Sequence, residues 1–125
     1  MSKKKVLVVD DERSISEIIM KSLIIMGDYV VELAFNGQEG FEKYKSFLPD
    51  IVVMDLEMPV MDGYESCSRI KSFDPNAKIL MLTGNPGHSK ACMTIREGKA
   101  LTLLQKPIKL MDLNQTISES LLAFT

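Results

Sequence analysis

The chain has 125 residues, of which 46% are hydrophobic and 26% are charged, and its formal net charge is −2. This length and composition are typical of one globular domain, which we predict to span residues 1–125. The near-neutral charge argues against direct nucleic-acid binding, since the only basic cluster is a lysine run at residues 3–5. The sequence has no apolar run long enough to span a membrane and no recognisable leader, so we expect a cytoplasmic protein without membrane insertion.

Five short apolar runs are predicted to be buried strands, and a helix-like segment follows each of them. The runs cover residues 4–9, 29–34, 51–54, 78–82 and 101–104. Apolar runs with little polar alternation are typical of parallel strands that are covered on both faces. Strands that alternate with helices through short connections predict right-handed crossovers. The expected fold class is therefore α/β, with a doubly wound sheet of five parallel strands.

The helices are predicted from apolar periodicity and from capping residues. We expect Ser14 to cap the first helix, whose buried stripe would be Ile15, Ile18, Ile19, Leu23 and Met26. The second helix should follow Asn36-Gly37 and present Gly40, Phe41, Tyr44 and Phe47 on one side. The last helix should bury a face formed by Leu110, Leu113, Ile117, Leu121 and Phe124.

Polar side chains follow four of the predicted strands. They are Asp10 and Asp11, Asp55, Thr83, and Lys106. The carboxyl ends of parallel strands meet at one edge of the sheet, where ligands bind in open α/β folds. Asp55 lies within residues 51–63, IVVMDLEMPVMDG, where an apolar run leads into turn signals. Taken alone, Asp55 could equally be a residue that only caps a turn.

The three carboxylates at this edge predict a metal site. Acidic groups in one crevice repel each other and raise one another's pKa unless a cation lies between them. Oxygen ligands without a nearby histidine or cysteine favour Mg²⁺ over zinc. A carboxylate beside a metal and a lysine can act as a nucleophile and form an aspartyl phosphate. Phosphoryl transfer then requires mainly positioning and charge neutralisation.

Four segments, VVDDE, MDLEMPVMDG, LTG and QKPI, closely resemble the CheY-like receiver domain of two-component response regulators. The resemblance covers nearly the whole chain, and D-x-x-M-P-x-M-D-G is its most specific part. It implies the strand order 2-1-3-4-5, which is the order of CheY itself. It also implies a phosphoacceptor switch of a phosphorelay rather than an enzyme. The implied partners are a sensor histidine kinase or a histidine phosphotransfer protein, and a downstream protein target.

The resemblance assigns the acids to a phosphorylation site that contains Mg²⁺. Asp55 matches the phosphoacceptor and also a carboxylate ligand of the metal. Asp11 matches a second carboxylate ligand, and Asp10 matches an acid that acts through water. The main-chain carbonyl of Glu57 matches the remaining protein ligand.

The resemblance also assigns the switch residues. Thr83 matches the switch hydroxyl, Lys106 matches the phosphate-sensing lysine, and Pro107 should follow a cis peptide bond. Leu103 occupies the position where the family usually carries an aromatic ring. The interval from Gly98 to Lys106 is one residue longer than usual, which predicts a reshaped loop before the fifth strand. We therefore expect phosphorylation to act mainly through the loop at residues 84–87 and the fourth helix.

Three alternatives stay open at this level. A flavodoxin-like cofactor binder shares the architecture, but residues 10–13, DDER, would repel phosphate without a metal. A hydrolase with an aspartyl-phosphate intermediate would need a further acid two residues past the nucleophile, where Glu57 lies. The chain could also be a receiver fragment of a larger regulator or hybrid kinase. Ile15, Pro107 and Ile108 surround the acidic edge, where they could dock the helix of a phosphodonor.

Overall fold

A computed structural model of the chain describes residues 2–123, in which strands and helices alternate. The strands are β1 (Lys5–Val9), β2 (Val30–Ala34), β3 (Ile51–Asp55), β4 (Ile79–Thr83) and β5 (Thr102–Gln105). The helices are α1 (Arg13–Gly27), α2 (Gly37–Phe47), α3 (Gly63–Phe73), α4 (Ser89–Arg96) and α5 (Leu110–Ala123). Within residues 2–123, no helix is both long enough and apolar enough to cross a membrane.

The five strands form one parallel sheet in the order β2-β1-β3-β4-β5, as predicted. β3 is the central strand, and β1 lies between it and the edge strand β2, with Val8 of β1 paired with Val53 of β3. The order of the strands reverses between β1 and β3, so the connections leave their carboxyl ends in opposite directions. Such a reversal opens a crevice at the sheet edge. The acids that follow β1 and end β3 therefore share one crevice.

The core consists of two layers because alternate strand residues point to opposite faces of the sheet. One layer lies under α2, α3 and α4 and includes Leu7, Val9, Val52, Met54, Ile79 and Met81. The other lies under α1 and α5 and includes Val6, Val8, Ile51, Val53, Leu80 and Leu82. Successive residues along each strand therefore belong alternately to the two layers. This two-sided burial explains why the strands read as continuous apolar runs.

The start of α1 differs from the prediction. The helix begins at Arg13, and Glu12 occupies the N-cap position without a capping side-chain bond. The predicted cap, Ser14, is an exposed residue inside the first turn. Ser16 instead ties the helix to the strand end, because its hydroxyl donates to the Asp10 carbonyl over 3.1 Å. The chain enters the helix earlier than predicted, directly after the acidic pair.

The predicted apolar stripe of α1 is only partly correct. Ile19 and Leu23 are buried, but Ile15, Ile18 and Met26 are 39%, 51% and 51% exposed. The helix packs on the sheet through a narrow face, and small serines fill two of its buried positions, at residues 16 and 22. Periodicity identified the helix but overestimated how wide its buried face is. The surplus isoleucines lie on the surface beside the acidic edge.

The other elements follow the predictions with small shifts of their ends. Asn36 caps α2 by accepting the backbone N–H of Glu39 over 2.8 Å. Gly40 and Tyr44 are buried, and the two phenylalanines of α2 pack against the same core layer. In α5 the predicted face is observed through Leu113, Ile117 and Leu121, with Leu110 partly buried. The predicted contribution of Phe124 lies outside the described residues.

Candidate functional site

Three carboxylates meet at the carboxyl edge of β1 and β3. Asp10 and Asp55 are 1% and 3% exposed, whereas Asp11 is exposed. One carboxylate oxygen of each residue lies within 4.8 Å of those of the other two. The Asp10 carboxylate also accepts the backbone N–H of Glu12 over 2.9 Å, which holds the turn between β1 and α1. The fold thus brings together the acids that the sequence predicted to share a site.

Lys106 reaches this acid cluster from the loop between β5 and α5. Its ammonium lies 3.2 Å from a carboxylate oxygen of Asp10 and 3.1 Å from one of Asp55. The backbone N–H of Lys106 donates to the Thr83 carbonyl over 2.8 Å, which fixes the loop to β4. The following bond to Pro107 is cis, as predicted. Lys106 therefore bridges two acids from separate strands.

The acid cluster is electrostatically strained around Asp55. Burial raises the pKa of Asp55 to about 6, and the neighbouring charges of Asp10 and Asp11 add to this effect, while Lys106 opposes it. Burial lowers the pKa of Lys106, but its pairs with Asp55 and Asp10 outweigh that effect, so its pKa lies above the ordinary value. A single lysine does not fully compensate three acids. Repulsion among the acids therefore favours the binding of a further cation at this site.

The donor set of this cluster fits a hard divalent cation. The available ligand atoms are carboxylate oxygens that lie close enough together to share one ion. Oxygen donors of this kind, one of them solvent-exposed, suit Mg²⁺, which keeps several waters and binds through one or two carboxylates. The residues present are therefore compatible with the predicted metal. The role of the Glu57 main-chain carbonyl as a ligand stays a prediction.

The loop after Asp55 is held close to the sheet by backbone bonds. The N–H of Leu56 donates to the Leu82 carbonyl over 2.9 Å, and the N–H of Gly63 donates to the Leu56 carbonyl over 2.8 Å. A Cβ at Gly63 would lie 2.3 Å from the Asp55 carbonyl oxygen, so only glycine fits there. Asp62 caps α3 by accepting the N–H of Glu65 over 2.9 Å. The glycine thus lets α3 start directly against the end of β3.

Thr83 ends β4 beside Asp55 and is fully buried. Its hydroxyl donates to the Glu57 carboxylate over 3.0 Å and accepts the backbone N–H of Asn85 over 3.0 Å. The contact with Glu57 was not predicted from the sequence, which gave that residue a main-chain role as a metal ligand and a side-chain role only in the hydrolase alternative. The spacing of Glu57 two residues past Asp55 was the one signal that its side chain faces the site.

An apolar groove lies beside the acid cluster. It has a volume of about 370 Å³, and its lining includes Ile15, Ile18, Pro107, Ile108 and Leu110, together with Lys106. The first two are among the isoleucines that α1 leaves exposed. The structure therefore places the three residues predicted to dock a phosphodonor around one depression next to Asp55.

The segment between α4 and β5 has its own set of contacts. Gly98 adopts a positive φ of 70°, and the following two N–H groups both donate to the Thr94 carbonyl. The Lys99 ammonium lies 2.8 Å from the Glu97 carboxylate and 4.5 Å from the centre of the Tyr64 ring. Leu103 is partly buried against the core layer below α2 to α4. An ion pair and an aliphatic side chain thus occupy the region where the family usually places its switch aromatic.

A five-stranded parallel sheet with acids, a threonine and a lysine at its carboxyl edge defines the receiver class of signalling domains. The family model described as "Response regulator receiver domain" matches residues 6–118. The chain belongs to this family and is thus a domain of two-component signalling.

Individual relatives agree with this assignment. The chain is 37% identical over 107 residues to chemotaxis protein CheY of Thermotoga maritima, covering 85% of this chain and 88% of that one. It is 38% identical over 109 residues to response regulator MprA of Mycobacterium ulcerans, covering 87% of this chain but 46% of MprA. The chain therefore spans most of a CheY but less than half of MprA.

Solved structures show the same fold. A CheY-like receiver domain from Methanospirillum hungatei superposes with a TM-score of 0.91 at 29% identity, covering 98% of this chain and 96% of that one. CheY of Borrelia burgdorferi, solved in a CheX-CheY-BeF3-Mg+2 complex, superposes with a TM-score of 0.83 at 29% identity. In that match, 93% of this chain and 87% of the Borrelia chain are covered.

Proposed function

We propose that the chain is a phosphoacceptor switch in which Asp55 receives a phosphoryl group from a histidine kinase or a histidine phosphotransfer protein. The observation that carries this proposal is the surroundings of Asp55. Its buried carboxylate lies between two further acids and Lys106, at the switch point of the sheet. The buried carboxylate lies beside the Lys106 ammonium, in a cluster of acids that could also hold a metal ion. A carboxylate in these surroundings is suited to attack phosphorus.

The residues of the chain have separate roles in this transfer. A carboxylate oxygen of Asp55 forms the new bond to phosphorus as the bond to the donor nitrogen breaks. Lys106 is already 3.1 Å from Asp55 and balances charge on the transferred group. Asp11, Asp55 and the Glu57 main-chain carbonyl would hold Mg²⁺, with Asp10 acting through water, and the ion would supply the remaining charge neutralisation. The Thr83 hydroxyl would donate a hydrogen bond to a phosphoryl oxygen once Asp55 is phosphorylated.

The proposal includes the partners expected from the sequence and a cytoplasmic location. The apolar groove beside Asp55 would receive a helix of the phosphodonor, because Ile15, Pro107 and Ile108 present apolar surface next to the reacting carboxylate. A downstream protein target would bind the face formed by the loop at residues 84–87 and α4. We propose neither direct nucleic-acid binding nor membrane insertion for these residues.

The proposed role is that of a switch rather than an enzyme. A hydrolase would need Glu57 as a second acid, yet its carboxylate accepts the Thr83 hydroxyl in the structure. The Glu57 side chain is thus hydrogen-bonded to the switch residue Thr83. Slow loss of phosphate from the protein, without turnover of phosphate esters, is the behaviour that we expect.

The direct test is the intact mass of the protein after incubation with acetyl phosphate. We expect a mass gain of one phosphoryl group that requires Mg²⁺ and that Asp55→Asn abolishes. Asp28→Asn is a matched control, because Asp28 is an exposed acid whose only described ion pair is with Lys3. Undiminished labelling of Asp55→Asn, or labelling that continues in EDTA, would contradict the proposal.

A further inference from the structure

The Thr83 hydroxyl is occupied on both sides in this structure. It donates its proton to Glu57 over 3.0 Å and accepts the N–H of Asn85 over 3.0 Å. A hydroxyl has one proton to donate. For the Thr83 hydroxyl to donate to a phosphoryl group on Asp55, its hydrogen bond to Glu57 must first break.

We propose that the Glu57 carboxylate is a positioning residue that holds the Thr83 hydroxyl in the unphosphorylated state and competes with the phosphoryl group for its proton. This inference rests on the proposed function of Asp55 as phosphoacceptor and adds a regulatory role for the Glu57 side chain. The main-chain carbonyl of Glu57 is a separate group, and substitutions of the side chain leave it in place.

The hydrogen bond between Thr83 and Glu57 matters because the loop after β4 is bonded to the same Thr83 hydroxyl. The Asn85 N–H binds the Thr83 hydroxyl, the Asn85 side chain accepts the N–H of Gly87, and the Asn85 carbonyl accepts the N–H of His88. His88 in turn caps α4 through its ring nitrogen, which accepts the N–H of Lys90. A rotation of the Thr83 side chain therefore disturbs a continuous series of bonds that leads to α4. Glu57 stabilises the starting arrangement of that series.

Simple repulsion is the competing explanation for any effect of Glu57. An exposed carboxylate beside Asp55 would oppose binding of an anion whether or not it contacts Thr83. The two explanations differ in their dependence on the Thr83 hydroxyl. Competition for the proton vanishes when the hydroxyl is removed, whereas repulsion remains.

The test is a double-mutant cycle on the affinity of the protein for beryllofluoride in the presence of Mg²⁺, measured by calorimetry. We expect Glu57→Ala to tighten binding about tenfold, as the loss of one competing charge-assisted hydrogen bond implies. The same substitution in a Thr83→Val background should have no effect, and Thr83→Ser should restore it. Glu57→Gln, which keeps an acceptor oxygen without the charge, should lie closer to the wild type than to Glu57→Ala.

Glu12→Ala is the control for charge alone, since Glu12 is an exposed acid at the same edge, at the end of the turn from β1. Tightening by Glu57→Ala that persists in the Thr83→Val background, or that Glu12→Ala and Glu57→Gln reproduce in full, would overturn the inference in favour of repulsion. No tightening by Glu57→Ala would overturn it as well.

A second measurement uses the free protein without metal or phosphoryl mimic. We expect Glu57→Ala to shift the amide resonance of Asn85 and to speed its hydrogen exchange, while Glu12→Ala leaves both unchanged. An unchanged Asn85 amide in Glu57→Ala would show that Glu57 does not hold Thr83. Failure of the wild type to bind beryllofluoride would instead refute the proposed function, and with it the competition.

Discussion

In the proposed function Asp55 reacts as a carboxylate, yet its side chain is almost completely buried. Burial disfavours its charged form, and the neighbouring acids increase that penalty, so its pKa rises to about 6 from an ordinary value of 3.8. Lys106 offsets part of the penalty from 3.1 Å away. Repulsion among the buried acids lowers the stability of the fold. A cation or a phosphoryl-metal group that reduces this repulsion would therefore restore stability. A strained carboxylate is thus suited to a switch whose ligand stabilises the fold.

The raised pKa of Asp55 predicts how stability depends on pH. The folded state binds this proton more tightly than the unfolded state, so the contribution of Asp55 is favourable below about pH 4 and is lost as the pH rises to about 6. In EDTA, Asp55→Asn should therefore be more stable than the wild type at about pH 7.5 and should lose that advantage at about pH 4. Urea denaturation at both values measures the difference. An equal difference at the two pH values would contradict the prediction.

Gly63 carries a steric constraint that a second residue-scale prediction tests. A Cβ at this position would lie 2.3 Å from the Asp55 carbonyl oxygen and 2.8 Å from the Leu56 Cα, which are backbone atoms. We expect Gly63→Ala to destabilise the protein by about 1 to 3 kcal/mol and to slow phosphorylation, because β3 and α3 must separate. Gly87→Ala is the matched control, since the nearest atom to its Cβ would be 3.6 Å away. Equal melting temperatures for the two variants would show that the β3 end tolerates the methyl group.

At the scale of the elements, α4 is tied at both ends to the start of α3. The Lys90 ammonium contacts the Asp62 carboxylate over 2.5 Å, and the Tyr64 hydroxyl donates to the Glu97 carboxylate over 2.8 Å. Burial raises the pKa of Asp62, but bonds from Lys90 and from the Glu65 N–H outweigh it, so the pKa lies below its ordinary value. Solvent screens such exposed pairs, so each contributes little to stability. Such contacts can be exchanged when the switch loop moves.

The location of this movement is a prediction for hydrogen exchange. With beryllofluoride and Mg²⁺, protection should change most over residues 84–98, because a movement of Thr83 would disturb its hydrogen bond with Asn85 in the loop at residues 84–87. Thr83→Ala should reduce the change, since it removes the hydroxyl that links the site to the loop. Changes confined to β5 around Leu103 would instead indicate that the output travels through the fifth strand.

At the scale of the whole molecule, a metal ion held by the acids that follow β1 and end β3 would link two adjacent strands of the sheet. Mg²⁺ that binds only the folded protein should stabilise it by about 2.7 kcal/mol at a hundredfold excess over its dissociation constant. Asp11→Ala should lose this response, because it removes an acid of the cluster. The melting temperature with increasing Mg²⁺ measures the effect, and Asp28→Ala is the surface control. A full response in Asp11→Ala would place the metal elsewhere.

The amino-acid pattern was enough to predict the parallel α/β fold, the number of strands and the residues at their ends. These features depend on local patterns: apolar runs, turn residues and acids that follow strands. The resemblance of the DLEMPVMDG segment to the receiver family supplied the strand order, and the observed sheet has that order. The observed ends of strands and helices differ from the predicted ends by one or two residues, since hydrogen bonding across the sheet determines where an element ends.

The pairing of side chains across the site depends on the three-dimensional packing and could not be predicted from the sequence. The Thr83 hydroxyl and the Glu57 carboxylate are 26 residues apart, and Lys106 and Asp10 are 96 residues apart, so no local pattern brings either pair together. The exposure of Ile15 and Ile18 likewise depends on how little of α1 the sheet and α5 cover. Periodicity shows which face of a helix is apolar, whereas packing determines how much of that face is buried. The apolar groove beside the acid cluster and the hydrogen bond between Thr83 and Glu57 both arise from that packing.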